Sequence, residues 1–161
     1  MEATLFYILA AVTLIGTLCA ITARQAVRAI VYLVTSFFAL ALIFYLLGAP
    51  LIAAFEVIIY AGAIMVLFLF VIMMLELGSP EKLPKPRLSD WWPALLLVGA
   101  VVGSVVVLVA DGQPAGLPGF VEISARQFAQ TLFQQYGVAV EVISMQLLFA
   151  LVGALYLGRR R

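Results

Sequence analysis

The chain has 161 residues, 66% of them hydrophobic and 11% charged, with a formal net charge of +1 and a mean hydropathy of +1.21, values far from those of soluble globular proteins. It reads as an all-α integral membrane protein, with residues 1–161 forming a single transmembrane domain. Near-neutral charge argues against nucleic acid as a partner. With no His and a lone Cys, the chain by itself assembles no zinc, haem or iron–sulfur ligand set, and it carries no Walker or dinucleotide glycine motif.

Five apolar runs cover residues 4–23, 29–47, 51–77, 91–110 and 131–157. Each is long enough to cross about 30 Å of hydrocarbon at about 1.5 Å per helical residue. The first run begins after Glu2, where a secretory signal would place Lys or Arg, so it is expected to be a retained helix. Arg24 and Arg28 follow at i and i+4 and read as topological determinants touching headgroups or a partner's acids. In the second run, Tyr32, Thr35 and Ser36 form a polar patch best explained by helix packing. Only Gly48, Ala49 and Pro50 join the second and third runs, which forces an antiparallel hairpin.

The third run reads FEVIIYAGAIMVLFLFVIMML from Phe55 to Leu75 and holds one acid, Glu56, about two turns below the membrane surface. A charge at membrane depth costs roughly 2.5 to 3.5 kcal/mol on insertion scales, so a partner, water or proton accompanies it. At about 100° per residue, Glu56, Tyr60, Ala63 and Leu67 share a stripe, letting carboxylate and phenol line one crevice. Burial disfavours the charged form, which suits a proton relay and a silent hydrogen-bonded acid alike. The segment Tyr60, Ala61, Gly62 and Ala63 sets small residues among large ones, where another backbone can approach. The run is longer than a span requires, and a π-bulge at Gly62 is one way to absorb the surplus residue.

The loop at 78–90 carries Pro80, Pro84 and Pro86 and reads as an extended strap along a neighbouring surface. Trp91 and Trp92 then mark a membrane boundary. The fourth run contains no charge and has Gly99 and Gly103 in a GxxxG pattern suited to helix docking. In the next loop, Ser124 followed by Gln127 is a capping-box signature that starts a helix over Ala125–Gln135 at the interface. The last run aligns Gln134, Glu141, Ser144 and Leu148, giving a second acid with Ser144 a turn away; Ser144 can bond its own backbone or the Glu141 carboxyl. With the N-terminus outside, eight of the nine basic residues, all but Arg126, fall inside. The expected topology is therefore N-out and C-in.

The block EVIIYAGAIMVLFLFVIMML, Glu56 to Leu75, closely resembles the third helix of the subunit J (chain 6) family of proton-pumping NADH-quinone oxidoreductases. ARQAVRAIVYLVTSFFALALIFYLLGAPLIAA before it and ISARQFAQTLFQQYGVAVEVISMQLLFALVGAL near the end extend the likeness over most of the chain. The resemblance implies five transmembrane helices in a bacterial inner membrane and no redox centre in this subunit. FMN, iron–sulfur clusters and quinone are then expected elsewhere in the complex. It implies as partners the quinone-end subunit, a small three-helix subunit, antiporter-like subunits and the lipid bilayer. It further implies a third helix that switches between α and π-bulged forms near Tyr60, Ala61 and Gly62, gating a hydrated path, with Glu56 and Glu141 matching the family's acids. On the residues alone two other functions stay open. One is a structural scaffold in which both acids only bond partners. The other is an independent ion carrier, which the lack of internal repeats and of paired broken helices disfavours.

Overall fold

The computed structural model describes residues 2–76, 92–111 and 123–159. These form α1 (Glu2–Thr22), α2 (Ala26–Leu46), α3 (Pro50–Phe55), a π segment (Glu56–Ile64), α4 (Met65–Glu76), α5 (Trp92–Asp111), α6 (Ala125–Gln135) and α7 (Gly137–Gly158). Among the described residues, five helices are long and apolar enough to cross a membrane: Ala3–Thr22, Ala26–Leu46, Pro50–Leu75, Trp92–Ala110 and Gly137–Gly158. α3, the π segment and α4 are thus one continuous third span. The predicted proline strap, Trp91, and Arg160 and Arg161 lie outside the described residues.

Chain contacts divide the molecule into two compact units, Met1–Glu122 and Ile123–Arg161. In the first, α1 and α2 pack closely because one position carries no side chain. A Cβ at Gly16 would lie 3.3 Å from both Ser36 Cβ and the Tyr32 carbonyl oxygen. That approach brings hydroxyls into reach: Ser36 Oγ donates to the Thr13 carbonyl at 3.0 Å and lies 3.0 Å from Thr17 Oγ1. Thr13, Thr17 and Thr35 each donate to the carbonyl four residues back, at 2.8 Å. Lipid offers no hydrophobic drive for helices to associate, so such fit and bonding hold them together. The predicted patch of Tyr32, Thr35 and Ser36 is buried here as packing. Gly16→Val should therefore lower the stability of the purified chain by about 1–3 kcal/mol through overpacking. Thermal unfolding in detergent measures it, and Gly16→Ala should lose less.

The hairpin closes as its three residues demand. Gly48 takes φ 77°, a region closed to most side chains. It lets Ala49 N–H reach the Phe44 carbonyl at 3.0 Å and Gly48 N–H the Tyr45 carbonyl at 3.1 Å, a Schellman closure. Pro50 then opens α3 at a position that needs no N–H. α5 adds Ala94, Leu97 and Val101 to a core of Leu9, Val12, Tyr32, Ala39 and Ile43. Its Gly99 and Gly103 do not take part, since a Cβ on either meets nothing within 4 Å.

In the second unit the capping box forms, with Ser124 N–H donating to Gln127 Oε1 at 3.2 Å. α6 occupies the predicted Ala125–Gln135, but the apolar span starts six residues later than the expected 131. Tyr136, at φ −119° and ψ 21°, breaks the helix ahead of Gly137. Hydrophobic residues of α6 had extended the apolar run backwards across that break.

Candidate functional site

The third span enters its middle as an α-helix and leaves it in another register. Glu56 N–H bonds the Ile52 and Ala53 carbonyls, four and three residues back. At the far end Met65 N–H bonds Tyr60, five residues back, together with Gly62. The nine residues Glu56–Ile64 between them are π-helical. Long π stretches are rare, and they cluster where function needs a displaced side chain.

Gly62 explains why the register fits here. In an α-helix its N–H would pair with Ile58; in a π-helix it faces Val57, five residues back. A Cβ on Gly62 would lie only 3.1 Å from the Val57 carbonyl oxygen. Glycine removes that collision.

The register decides which side chains share a face. The buried line of the third span is Ala53, Glu56, Ala61 and Met65, in steps of three, five and four. The expected stripe of Glu56, Tyr60, Ala63 and Leu67 assumed a constant 100° per residue, and the π segment breaks that assumption. Tyr60 is 47% exposed, its ring tilted 48° against Phe37 with centroids 5.6 Å apart. Ala63 and Leu67 are exposed too. Ala61 takes the place beside Glu56 that α-helical spacing assigns to Tyr60.

Glu56 is 9% exposed, and among the described residues its carboxyl has no charged or hydrogen-bonding partner. A buried acid so placed requires a proton, water or a group from another chain. Two apolar cavities flank the span. One, of about 660 Å³, is lined by Thr35, Ala61, Met65 and Val98 among others; the other, of about 430 Å³, by Tyr45, Ala53 and Val57. Phe38, Val101 and Val105 border both. The Thr35 hydroxyl donates its proton to the Val31 carbonyl at 2.8 Å, and the other lining residues named are apolar, so the larger cavity offers side chains room to turn but little to hold water.

Glu141 and Ser144 belong to α7 of the second unit, and both are exposed. Of the two partners open to it, Ser144 bonds its own backbone, donating to the Val140 carbonyl at 3.0 Å. Gln134 lies on α6, across the break at Tyr136, so the expected stripe with Glu141 is interrupted. Among the described residues no three of His, Cys, Asp and Glu group as metal ligands. Sequence reasoning missed Ala53 and Met65 as companions of Glu56. Ala53, three residues before Glu56, is within reach of ordinary helical spacing, whereas Met65 lies past the five-residue step, of which a fixed helical period carries no sign.

A family model described as NADH-ubiquinone/plastoquinone oxidoreductase chain 6 matches residues 16–157. The chain is 42% identical over 159 residues to the NADH-quinone oxidoreductase subunit J of Pseudomonas aeruginosa, covering 96% of this chain and 95% of that one. It is 41% identical over 160 residues to the protein of the same name from Escherichia coli, covering 96% and 85%. A third, from Buchnera aphidicola subsp. Schizaphis graminum, is 35% identical over 162 residues, covering 97% of each chain.

Proposed function

Because the chain belongs to the NADH-ubiquinone/plastoquinone oxidoreductase chain 6 family, we propose that it is a membrane-arm subunit of a proton-translocating NADH-quinone oxidoreductase whose third span couples quinone reduction to proton movement. The observation that carries this is the nine-residue π segment headed by a buried Glu56 that has no partner among the described residues. The chain holds no complete active site. FMN, iron–sulfur clusters and quinone belong to other subunits, and so do the electron-transfer steps.

Two registers of one span give two arrangements of the same groups. In the π register Glu56 shares its buried face with Ala61; in an α register it would share it with Tyr60. Conversion swaps a methyl for a phenol beside the carboxyl and turns the following residues by roughly one position, about 100°. A hydroxyl next to the acid supplies the polar contact that water needs and the present apolar cavities lack. Quinone reduction elsewhere biases this equilibrium. Water then joins Glu56 to carboxylates of neighbouring subunits, with Glu141 serving a second stretch of the path together with Ser144. The partners are the quinone-end subunit, the small three-helix subunit and the antiporter-like subunits. The distribution of basic residues supports an N-out, C-in orientation, and the bacterial relatives support placement in a bacterial inner membrane.

Cysteine accessibility tests the gate. In a Cys19→Ser background, Ala61→Cys places a thiol on the buried face with little change in volume. Its reaction with a water-soluble thiol reagent in native membranes should accelerate by about tenfold or more during NADH oxidation, as a minor state becomes a major one. An unchanged rate would leave the span a scaffold.

A further inference from the structure

We infer that α6 is a membrane-surface helix that seats its apolar face in the headgroup–acyl boundary, at the bilayer face opposite the Arg159 end of α7. The first support is length. α7, Gly137–Gly158, has 22 residues, which at about 1.5 Å each make about 33 Å, enough to fill the hydrocarbon by itself. α6 cannot also lie within it, and the break at Tyr136 falls where the span ends. The second support is the pattern of α6. At 100° per residue, Ala125, Phe128, Ala129, Leu132 and Phe133 gather on one arc of about 140°, while Gln127, Gln130, Thr131, Gln134 and Gln135 fill the other side. A glutamine face does not enter hydrocarbon, and an aromatic and leucine face does not stay in water.

The C-terminal end of this face is exposed and joins the span directly. Phe133 is 67% exposed and Tyr136 57% exposed; they sit at the end of α6 that runs into α7, so their apolar surface continues that of the membrane-spanning helix. Arg126 lies on the flank of the apolar arc beside Phe133, about 20° away on the helical projection. From that edge its stem can follow the apolar surface while the guanidinium reaches a lipid phosphate. The single positive charge and the absence of acids on α6 match a phosphate surface.

Site-specific photocrosslinking in native membranes tests this. Phe133→p-benzoylphenylalanine should give, on illumination, adducts bearing the mass of a phospholipid, and Gln130→p-benzoylphenylalanine on the polar face should give none. A crosslink from position 133 to a polypeptide would overturn the inference by showing a protein covering this face; so would no adduct from position 133, or lipid adducts from both positions. If the variant at Phe133 does not reach the membrane, Tyr136→p-benzoylphenylalanine takes its place with the same outcomes.

Discussion

Gly62→Val should reduce NADH-driven proton pumping by about tenfold or more while the complex still assembles and oxidises NADH with an artificial acceptor. The Cβ that valine introduces stands 3.1 Å from the Val57 carbonyl oxygen, and its two methyls add bulk around the same point. Overpacking of this kind costs about 1–3 kcal/mol. In the α register residue 62 pairs with Ile58 instead, and the penalty is relieved. The substitution therefore weights the two registers unequally, and each 1.4 kcal/mol or so is a factor of ten in their populations. A coupling device with states only a few kcal/mol apart would be held in one of them. Gly62→Ala has the Cβ without the branches and should fall between valine and glycine. Pumping at the normal rate in assembled Gly62→Val membranes would remove the third span from the coupling mechanism.

The α1–α2 pair makes a useful contrast. Its glycine, Gly16, is held by Ser36 Cβ and the Tyr32 carbonyl on a neighbouring helix, and hydroxyls bond across that contact. Gly62 is constrained by its own span. Substitution at Gly16 should loosen packing between helices and show as lost stability; substitution at Gly62 should change a preference within one helix and show as lost coupling. Measuring both properties on both variants separates a scaffold from a gate.

Much of this was legible in the residues. Composition and run length placed five spans, three residues between two of them forced a hairpin, and Ser124 with Gln127 marked the start of α6. Those signals are local, so they survive whatever the rest of the chain does. The resemblance around Glu56–Leu75 pointed to a π-bulge, and the structure has one. The faces were less readable. Assigning Tyr60 to the buried side of Glu56 required a fixed turn per residue, and nothing in Val57, Ile58 or Ile59 announces that the ladder shifts to five. Gln134 was joined to Glu141 by the same assumption, which fails at Tyr136 because Gly137 follows and the helix restarts there. A GxxxG spacing likewise gave no direction: Gly99 and Gly103 turn away from the described helices, while Ala94, Leu97 and Val101 make the contact.

Glu56→Gln should lower pumping by about 100-fold, the low end of what removal of a positioned proton-transfer group costs, with assembly preserved. Glutamine keeps the length, the polarity and the ability to hydrogen-bond, but it cannot gain and lose a proton. Aspartate keeps the exchangeable proton and moves it by one methylene, so Glu56→Asp should retain part of the activity. A scaffold orders the variants otherwise. If the carboxyl only bonds a neighbouring helix, glutamine satisfies the same partner and pumps normally, aspartate falls short of it, and Glu56→Leu fails to assemble, since leucine leaves that partner unpaired in the membrane. If the carboxyl is a relay with no fixed partner, Glu56→Leu assembles, because an acid without a partner is costly to bury in hydrocarbon and leucine carries no such cost. The pattern across glutamine, aspartate and leucine, read as pumping per assembled complex in sealed vesicles, therefore decides the role. Pumping by Glu56→Gln at the unsubstituted rate would reduce this acid to a structural contact.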